Sequence, residues 1–330
     1  MNLFITMEDG AWKERFFAEA GDGRAAPDRG RPDERLRKGD DRGGELGDRL
    51  RDVDVCFALG WLSCPPFTEA VLAQANRLKL IVSPGASVAG FITDGVYERG
   101  IKVCSANDVM AEYVAEGTLA YMLTALRQIP RRERDVRTMN WNNRECETLI
   151  GKTVGLVGLG AVGRHLILML QPFRVRVKLY DPYVDMNSLA HAAVEPCSLH
   201  EVLSQSDIVS IHASQTDETY RMINRDNLKW IKDGAVLINT ARGSLIDEAA
   251  LAETLRTGRI TAVLDVYETE PLPPDSPLRE PDNVYLLPHV AGMVKLENYA
   301  WAMVKEIERF AAGQPLQYEI PYRQFKRMTK

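Results

Sequence analysis

The sequence predicts an α/β fold built on parallel sheets. Short β-type runs alternate with helical patterns along most of the chain, as crossover units require. The chain has 330 residues, 45% of them hydrophobic and 26% charged. That is more chain than one compact core usually holds, so two domains or one large α/β unit are expected. Disorder throughout is excluded.

Eight short apolar runs are the predicted strands, and two stretches between them have helical spacing. The runs are residues 53–59, 78–83, 152–158, 175–180, 208–212, 235–239, 261–265 and 284–287. The helical stretches are residues 111–128 and 248–257. Asp247 stands where an N-cap residue belongs, and Gly258 stands where a helix ends.

One stretch breaks this alternation. Residues 21–50 hold sixteen charged residues and seven glycines, with Leu36, Leu46 and Leu50 as the sizeable apolar groups. Such a composition cannot contribute much core, so we expect a mobile surface loop. Its eight basic and eight acidic residues cancel, which argues against a nucleic-acid-binding arm.

Charge and cysteine content narrow the class of protein. The formal net charge is −5, so no global basic field attracts nucleic acid or an anionic membrane, and a small-molecule ligand is expected. The five cysteines form no C-x-x-C pair, which argues against a disulfide framework and a structural zinc site. No metal is expected. Without a long apolar run or an export signal, the sequence predicts a cytoplasmic protein.

A glycine motif directly follows the predicted strand at residues 152–158. Gly158, Gly160 and Gly163 form G-x-G-x-x-G, with Ala161 and Val162 between the last two. In a dinucleotide site the first glycine allows a sharp turn, the second admits the pyrophosphate and the third lets the helix pack on the strand. The helix N-terminus adds amide donors and its dipole.

Asp181 completes this motif. It lies eighteen residues after Gly163, at the end of the next predicted strand, where a carboxylate accepts hydrogen bonds from an adenosine ribose. Pro182 and Tyr183 follow it, with no arginine or lysine nearby to receive a 2′-phosphate, and the Asp181 carboxylate would repel one. The predicted cofactor is therefore NAD rather than NADP.

Three downstream segments each follow a predicted strand: residues 239–243 (NTARG), 265–271 (DVYETEP) and 288–292 (PHVAG). In an open α/β sheet the carboxyl ends of the strands face the ligand. Reduction of a 2-oxo acid needs a cation for the carboxylate and the ketone, which Arg242 could supply. It also needs a proton donor, such as His289, and a carboxylate, such as Glu270, that stabilises the charged imidazole and fixes its tautomer.

At these residues the chain resembles the D-isomer-specific 2-hydroxyacid dehydrogenase family. GLVGLGAVG, INTARGSLIDEAAL, AVLDVYETEPL and LLPHVAG match the successive signatures of the family over about residues 51–318. The resemblance implies that Arg242, Glu270 and His289 are catalytic. It implies that backbone amides of the loop with Ala86 and Ser87, in RLKLIVSPGASVAGFI, hold the substrate carboxylate. It implies that Arg242 and His289 also bind the substrate. The further cofactor-binding residues that it implies are Ala213, Thr240, Ala241, Arg242, Asp265, His289 and Ala291.

The chain departs from the family pattern at residues 21–50, where relatives continue a strand and a helix of the first domain, and at three further places. Ser87 and Ala89 replace a glycine and an aspartate of the substrate loop, which changes its polarity and spares its backbone donors. Residues 212–214 lack the proline of H-x-P, and Met293 and Val294 stand where serine or threonine is common. The first and third of these further departures leave the identity of the 2-oxo acid open.

The resemblance also implies two Rossmann-like domains on parallel sheets, and it implies a partner. The NAD domain is expected at residues 104–289, and a discontinuous flavodoxin-like substrate domain at 1–103 and 290–330, with a cleft that closes on the substrate. Homodimerisation is expected through residues 119–141, which are similar to the dimer-forming arm of relatives. Two alternatives stay open: a dinucleotide-sensing protein similar to corepressors of this fold, and oxidation of formate or phosphite.

Overall fold

Parallel pairing joins every strand of the two sheets found in the described part of the chain. The computed structural model describes residues 1–6, 42–59, 64–184, 194–294 and 296–328. It divides into two units, Met1–Met110 with Val294–Lys330, and Ala111–Met293. The predicted fold class, α/β with parallel sheets, is confirmed.

The first unit has a four-stranded sheet in the order β1-β2-β3-β4. Its strands are β1 (Leu3–Ile5), β2 (Val55–Phe57), β3 (Leu80–Ser83) and β4 (Lys102–Ser105). Its helices are α1 (Arg42–Leu50), α2 (Glu69–Gln74), α3 (Asp94–Glu98), α10 (Leu296–Ala311) and α11 (Tyr322–Phe325), and α4 (Asn107–Arg127) begins in this unit. A core that includes Leu72, Ile81 and Val103 is fully buried.

The prediction of a loop over residues 21–50 is wrong at its C-terminal end. Residues 42–50 form helix α1, while residues 21–41 lie outside the described part of the chain. Leu46 and Leu50 are one helical turn apart, and both are buried in the core of the first unit. Tertiary packing of this short apolar stripe outweighs the low helix propensity of a segment with three glycines.

The second unit has a seven-stranded parallel sheet in the order β11-β10-β9-β8-β5-β6-β7. Its strands are β5 (Thr153–Val157), β6 (Arg176–Tyr180), β7 (Val194–Pro196), β8 (Ile208–Ile211), β9 (Val236–Asn239), β10 (Thr261–Leu264) and β11 (Val284–Leu286). Its helices are most of α4, then α5 (Ile129–Arg137), α6 (Ala161–Leu170), α7 (Leu199–Gln205), α8 (Arg225–Leu228) and α9 (Glu248–Arg256). The order reverses between β5 and β8, and in open α/β sheets ligands bind at such a point.

The predicted elements are confirmed, with shorter bounds for the strands. Each of the eight predicted runs contains one strand. Three strands that the sequence analysis left out, β1, β4 and β7, are only three or four residues long, and β1 and β7 are also partly exposed. The caps of α9 are as expected: the Asp247 carboxylate accepts from the Ala250 N–H at 3.0 Å, and Gly258 has φ +72°.

All five cysteines are free, and Cys56, Cys64 and Cys104 are buried. Among the described residues, no helix is both long and apolar enough to cross a membrane.

The burial of His212, directly after β8, should make the free energy of unfolding depend on pH. Burial lowers the pKa of this imidazole to about 4, and its Nε2 lies 2.9 Å from the Ser210 hydroxyl. Because the unfolded chain binds this proton near pH 6.5 and the folded chain does not, stability falls as the pH drops from 6.5 to 4. The expected loss is about 3 kcal/mol.

Chemical denaturation at pH 7 and pH 4 measures this loss. In His212→Asn the side chain at this position does not titrate, so its free energy of unfolding should fall less over the same range by about that amount. Equal losses in the two proteins would contradict the assignment.

Candidate active site

The glycine turn after β5 lies against the loop that follows β8. Gly158 has φ +91°, a conformation that other residues rarely adopt. A Cβ atom on Gly158 would lie 2.6 Å from both the Cα and the N of Ala213. Glycine is therefore required here for its conformation and for its size, and it brings the two loops together at the reversal point of the sheet.

Gly160 and the start of α6 form an open, donor-rich surface. A Cβ on Gly160 would meet only the His212 carbonyl oxygen, at 3.9 Å, so the backbone is accessible. Gly160 is the N-cap residue and has no side chain to cap the first-turn amides of Ala161, Val162 and Gly163. These amides and the helix dipole suit a pyrophosphate, so the residues fit a bound dinucleotide.

Asp181, directly after β6, is tied to the same turn. Its Oδ2 accepts from the Leu159 N–H at 2.7 Å, and its Oδ1 accepts from the Tyr183 N–H at 2.8 Å. A carboxylate can accept about four hydrogen bonds, so capacity remains for ribose hydroxyls. The contact with Leu159 fixes the carboxylate beside the glycine motif.

The turn that carries Arg242 is shaped by Asn239, the last residue of β9. The Asn239 side chain accepts from the Ala241 N–H at 3.0 Å and donates to the Arg242 carbonyl at 2.8 Å. Gly243 then packs on the backbone that follows β10. A Cβ at this position would lie 1.8 Å from the Tyr267 carbonyl carbon, which no side chain tolerates. The absence of a side chain at residue 243 therefore lets the Arg242 turn contact the segment that carries Glu270.

Charge and burial set the character of Arg242. Burial lowers the pKa of the Arg242 guanidinium, and the negative charge of Glu270 opposes this shift. Arginine stays protonated despite such a shift because its ordinary pKa lies far above neutral pH. One guanidinium nitrogen donates to the Ala241 carbonyl at 2.7 Å. The side chain is thus a partly desolvated cation, in which a carboxylate or a polarised carbonyl finds a strong partner.

Glu270 and His289 are directly hydrogen-bonded. Glu270 Oε2 lies 2.8 Å from His289 Nδ1, and Glu270 Oε1 accepts from the Tyr267 N–H at 3.0 Å. The imidazole is 51% exposed. With Nδ1 bound to the carboxylate, Nε2 is the nitrogen that can exchange a proton with a ligand.

Asp265 holds the backbone that follows His289. This carboxylate is 1% exposed. Its Oδ1 accepts from the Val290 N–H at 2.9 Å, and its Oδ2 accepts from the Ala291 N–H at 2.7 Å. The sequence analysis missed this contact, and the predicted role of Asp265 in cofactor binding stays a prediction.

Helix α4 contacts two of these loops, which the sequence analysis also missed. The hydroxyls of Thr118 and Thr240 lie 3.0 Å apart, and both residues are buried. A Cβ on Gly117 would lie 2.4 Å from the Ala291 carbonyl oxygen. Glycine inside a helix costs about 1 kcal/mol relative to alanine. Its presence at position 117 was the available signal of a close approach.

In the first unit, buried serines fix the loop that contains Ala86 and Ser87. The Ser83 hydroxyl accepts from the Gly85 N–H at 3.3 Å, and the Ser105 hydroxyl donates to the Ala86 carbonyl at 3.2 Å. The Ser87 hydroxyl accepts from the Ala89 N–H at 3.3 Å. The role of this loop in substrate binding stays a prediction.

The structure therefore brings the predicted residues of the second unit together in two groups. The glycine motif, Asp181 and Ala213 form one group, and the loops after β9, β10 and β11 form the other with Thr240, Ala241, Arg242, Asp265, Glu270, His289 and Ala291. Both groups lie where parallel strands of the same sheet end.

The chain is similar in sequence to known proteins. Residues 119–291, just over half of the chain, match the sequence model of the D-isomer specific 2-hydroxyacid dehydrogenase NAD binding domain. D-3-phosphoglycerate dehydrogenase of Archaeoglobus fulgidus is 34% identical over 272 residues, which are 81% of this chain and 52% of that protein. Glyoxylate reductase of Thermofilum pendens is 38% identical over 257 residues, 75% of each chain.

A solved structure shares the fold. The crystal structure of D-lactate dehydrogenase from Aquifex aeolicus, complexed with NAD and lactic acid, has a TM-score of 0.65 and 30% identity and covers 81% of this chain and 85% of its own. The chain spans about half the length of the phosphoglycerate dehydrogenases it matches. It carries the NAD-binding domain matched above, and it belongs to the D-isomer-specific 2-hydroxyacid dehydrogenase family.

Proposed function

We propose that the protein is an NAD-dependent oxidoreductase that interconverts a small 2-oxo acid and a D-2-hydroxy acid. The observation that carries this proposal is the Glu270–His289 hydrogen bond of 2.8 Å, on loops of the same sheet edge as the Arg242 cation. A cation, a proton donor and a carboxylate partner are the groups that carbonyl reduction needs.

Each side chain has a separate task in the proposed mechanism. When bound, NADH supplies the hydride for the carbonyl carbon. Arg242 binds the substrate carboxylate and polarises the ketone. His289 gives the Nε2 proton to the developing alkoxide, while Glu270 stabilises the imidazolium and orients the ring through Nδ1. In the oxidation direction, neutral His289 accepts the same proton.

The corepressor-like alternative finds no support among the relatives described above. Each of them is named as a dehydrogenase or a reductase. Their names differ in substrate: D-3-phosphoglycerate, glyoxylate and lactate. The substrate test therefore covers several acids: glyoxylate, hydroxypyruvate, pyruvate, phenylpyruvate and branched 2-oxo acids, with NADH consumption as the readout. A cytoplasmic location stays part of the proposal.

The proposal also includes a homodimer formed through α5 and the segment after it. Large apolar side chains are exposed there: Ile129, Val136, Met139 at 93% and Trp141 at 81%. Contiguous exposed apolar groups mark protein interfaces. We expect light scattering to give the mass of two chains, and Met139→Ser with Trp141→Ser to shift it toward one. A monomeric unmodified protein would contradict this part of the proposal.

Variants of the catalytic residues should fail in different ways. His289→Asn removes the proton donor, so kcat for reduction should fall by roughly 10²- to 10⁴-fold while the Kd of NADH stays nearly constant.

Arg242→Ala should impair KM and kcat together, because the same guanidinium holds the ground-state carboxylate and the polarised ketone. Glu270→Gln keeps the proton donor but removes the carboxylate that binds its Nδ1, so kcat should fall less than in His289→Asn while the Kd of NADH stays nearly constant.

His200→Asn is the matched control for the histidine variant. His200 lies on α7 and contacts the Trp230 ring edge-on at 5.0 Å between centroids. It should leave kcat unchanged. If the protein binds NADH, reduces no acid in the screen, and is indifferent to His289→Asn, the dehydrogenase proposal is wrong.

NAD(H) should be preferred over NADP(H). Asp181→Ala removes a ribose acceptor and the repulsion of a 2′-phosphate, so NADH binding should weaken and the gap to NADPH should narrow. Fluorescence titration with both cofactors measures the change, and Asp226→Ala, on α8, is the control. Equal or better binding of NADPH by the unmodified protein would overturn this preference.

A further inference from the structure

One face of α4 contacts the loop that carries His289 at one point and, at another, the Asp265 side chain that binds this loop. Gly117 and Tyr121 are four residues apart and so lie on the same side of the helix. Gly117 lies against the Ala291 carbonyl, as described above. The Tyr121 hydroxyl lies 3.2 Å from Asp265 Oδ1, across 144 positions of sequence.

Tyr121 contributes to the hydrogen bonding of a carboxylate that is almost completely buried. Asp265 Oδ1 accepts from Val290 and from the Tyr121 hydroxyl, and Oδ2 accepts from Ala291. Each carboxylate oxygen can accept about two hydrogen bonds, so Tyr121 completes Oδ1 and leaves capacity on Oδ2. Burial, followed by the charge and hydrogen bond of Asp265, raises the pKa of Tyr121, which keeps the hydroxyl protonated as a donor.

His289 needs such support because its backbone is strained. It has φ +57°, in the left-handed region that residues with a Cβ occupy at a cost of about 1 kcal/mol or more. The Asp265 carboxylate binds the amides of the next two residues, Val290 and Ala291, which stabilises this conformation. The direction of the His289 ring therefore depends on the orientation of Asp265.

We propose that Tyr121 is a positioning residue that fixes the Asp265 carboxylate and thereby the catalytic conformation of His289. Its hydrogen bond goes to Asp265, so it acts through that residue rather than on the substrate. The inference rests on the proposed reduction of 2-oxo acids. Tyr121 affects the geometry of proton transfer by His289, whereas Arg242 binds the acid.

Tyr121→Phe tests the proposal by removing one hydroxyl while the ring stays. The control is Tyr285→Phe on β11, another half-buried tyrosine of the second unit. We expect Tyr121→Phe to lower kcat about tenfold, with the KM of the 2-oxo acid changing less than about twofold. Hydrogen exchange of the peptide spanning residues 288–294 should become faster, since the loop is less firmly held. Tyr285→Phe should change neither quantity.

The two readouts separate this inference from the proposed function. Unchanged kcat and unchanged exchange in Tyr121→Phe would overturn it. Equal changes in both variants would also overturn it, because they would show a general loss of packing. If the unmodified protein reduces no acid in the screen, the proposed function fails, and the exchange of residues 288–294 still decides whether Tyr121 holds the loop.

Discussion

Parallel strand register is the constraint on which the site depends. Asn239 at the end of β9 is paired with Ile211 of β8 and with Leu264 of β10, and Leu264 is paired with Leu286 of β11. Four neighbouring strands thus end at the same level. The loops that follow them begin side by side, so Arg242, Glu270 and His289 lie at one edge of the sheet without any long excursion of the chain.

Arg242, His289 and Glu270 differ in how far each side chain is buried, and these differences suit their proposed roles. Arg242 is partly desolvated, which strengthens its interaction with an anion. His289 is about half exposed, which gives its free nitrogen access to a ligand and to solvent protons. The Glu270 side chain is less exposed than the imidazole, and it binds both the backbone of its own loop and His289.

Sequence reasoning identified the side chains whose chemistry is explicit in a short motif. Arg242, Glu270 and His289 follow predicted strands, and the parallel sheet brings those strand ends together. The supporting contacts were out of reach because they join distant positions, as the Thr118 and Thr240 hydroxyls do. The helix at residues 42–50 was missed for a related reason: the burial of Leu46 and Leu50 depends on a core assembled from other parts of the chain.

The close approach at Gly243 limits how this sequence can evolve. Every single-base change of a glycine codon that alters the amino acid introduces a side chain with a Cβ atom or a stop. At this position the Cβ would overlap the backbone of Tyr267 and Glu268. Neutral drift at residue 243 is therefore blocked unless the opposing loop first changes its path, and that loop carries Glu270 at its end. The loop at Gly243 and the loop at Tyr267 and Glu268 can therefore change only together, although more than twenty residues separate them in sequence.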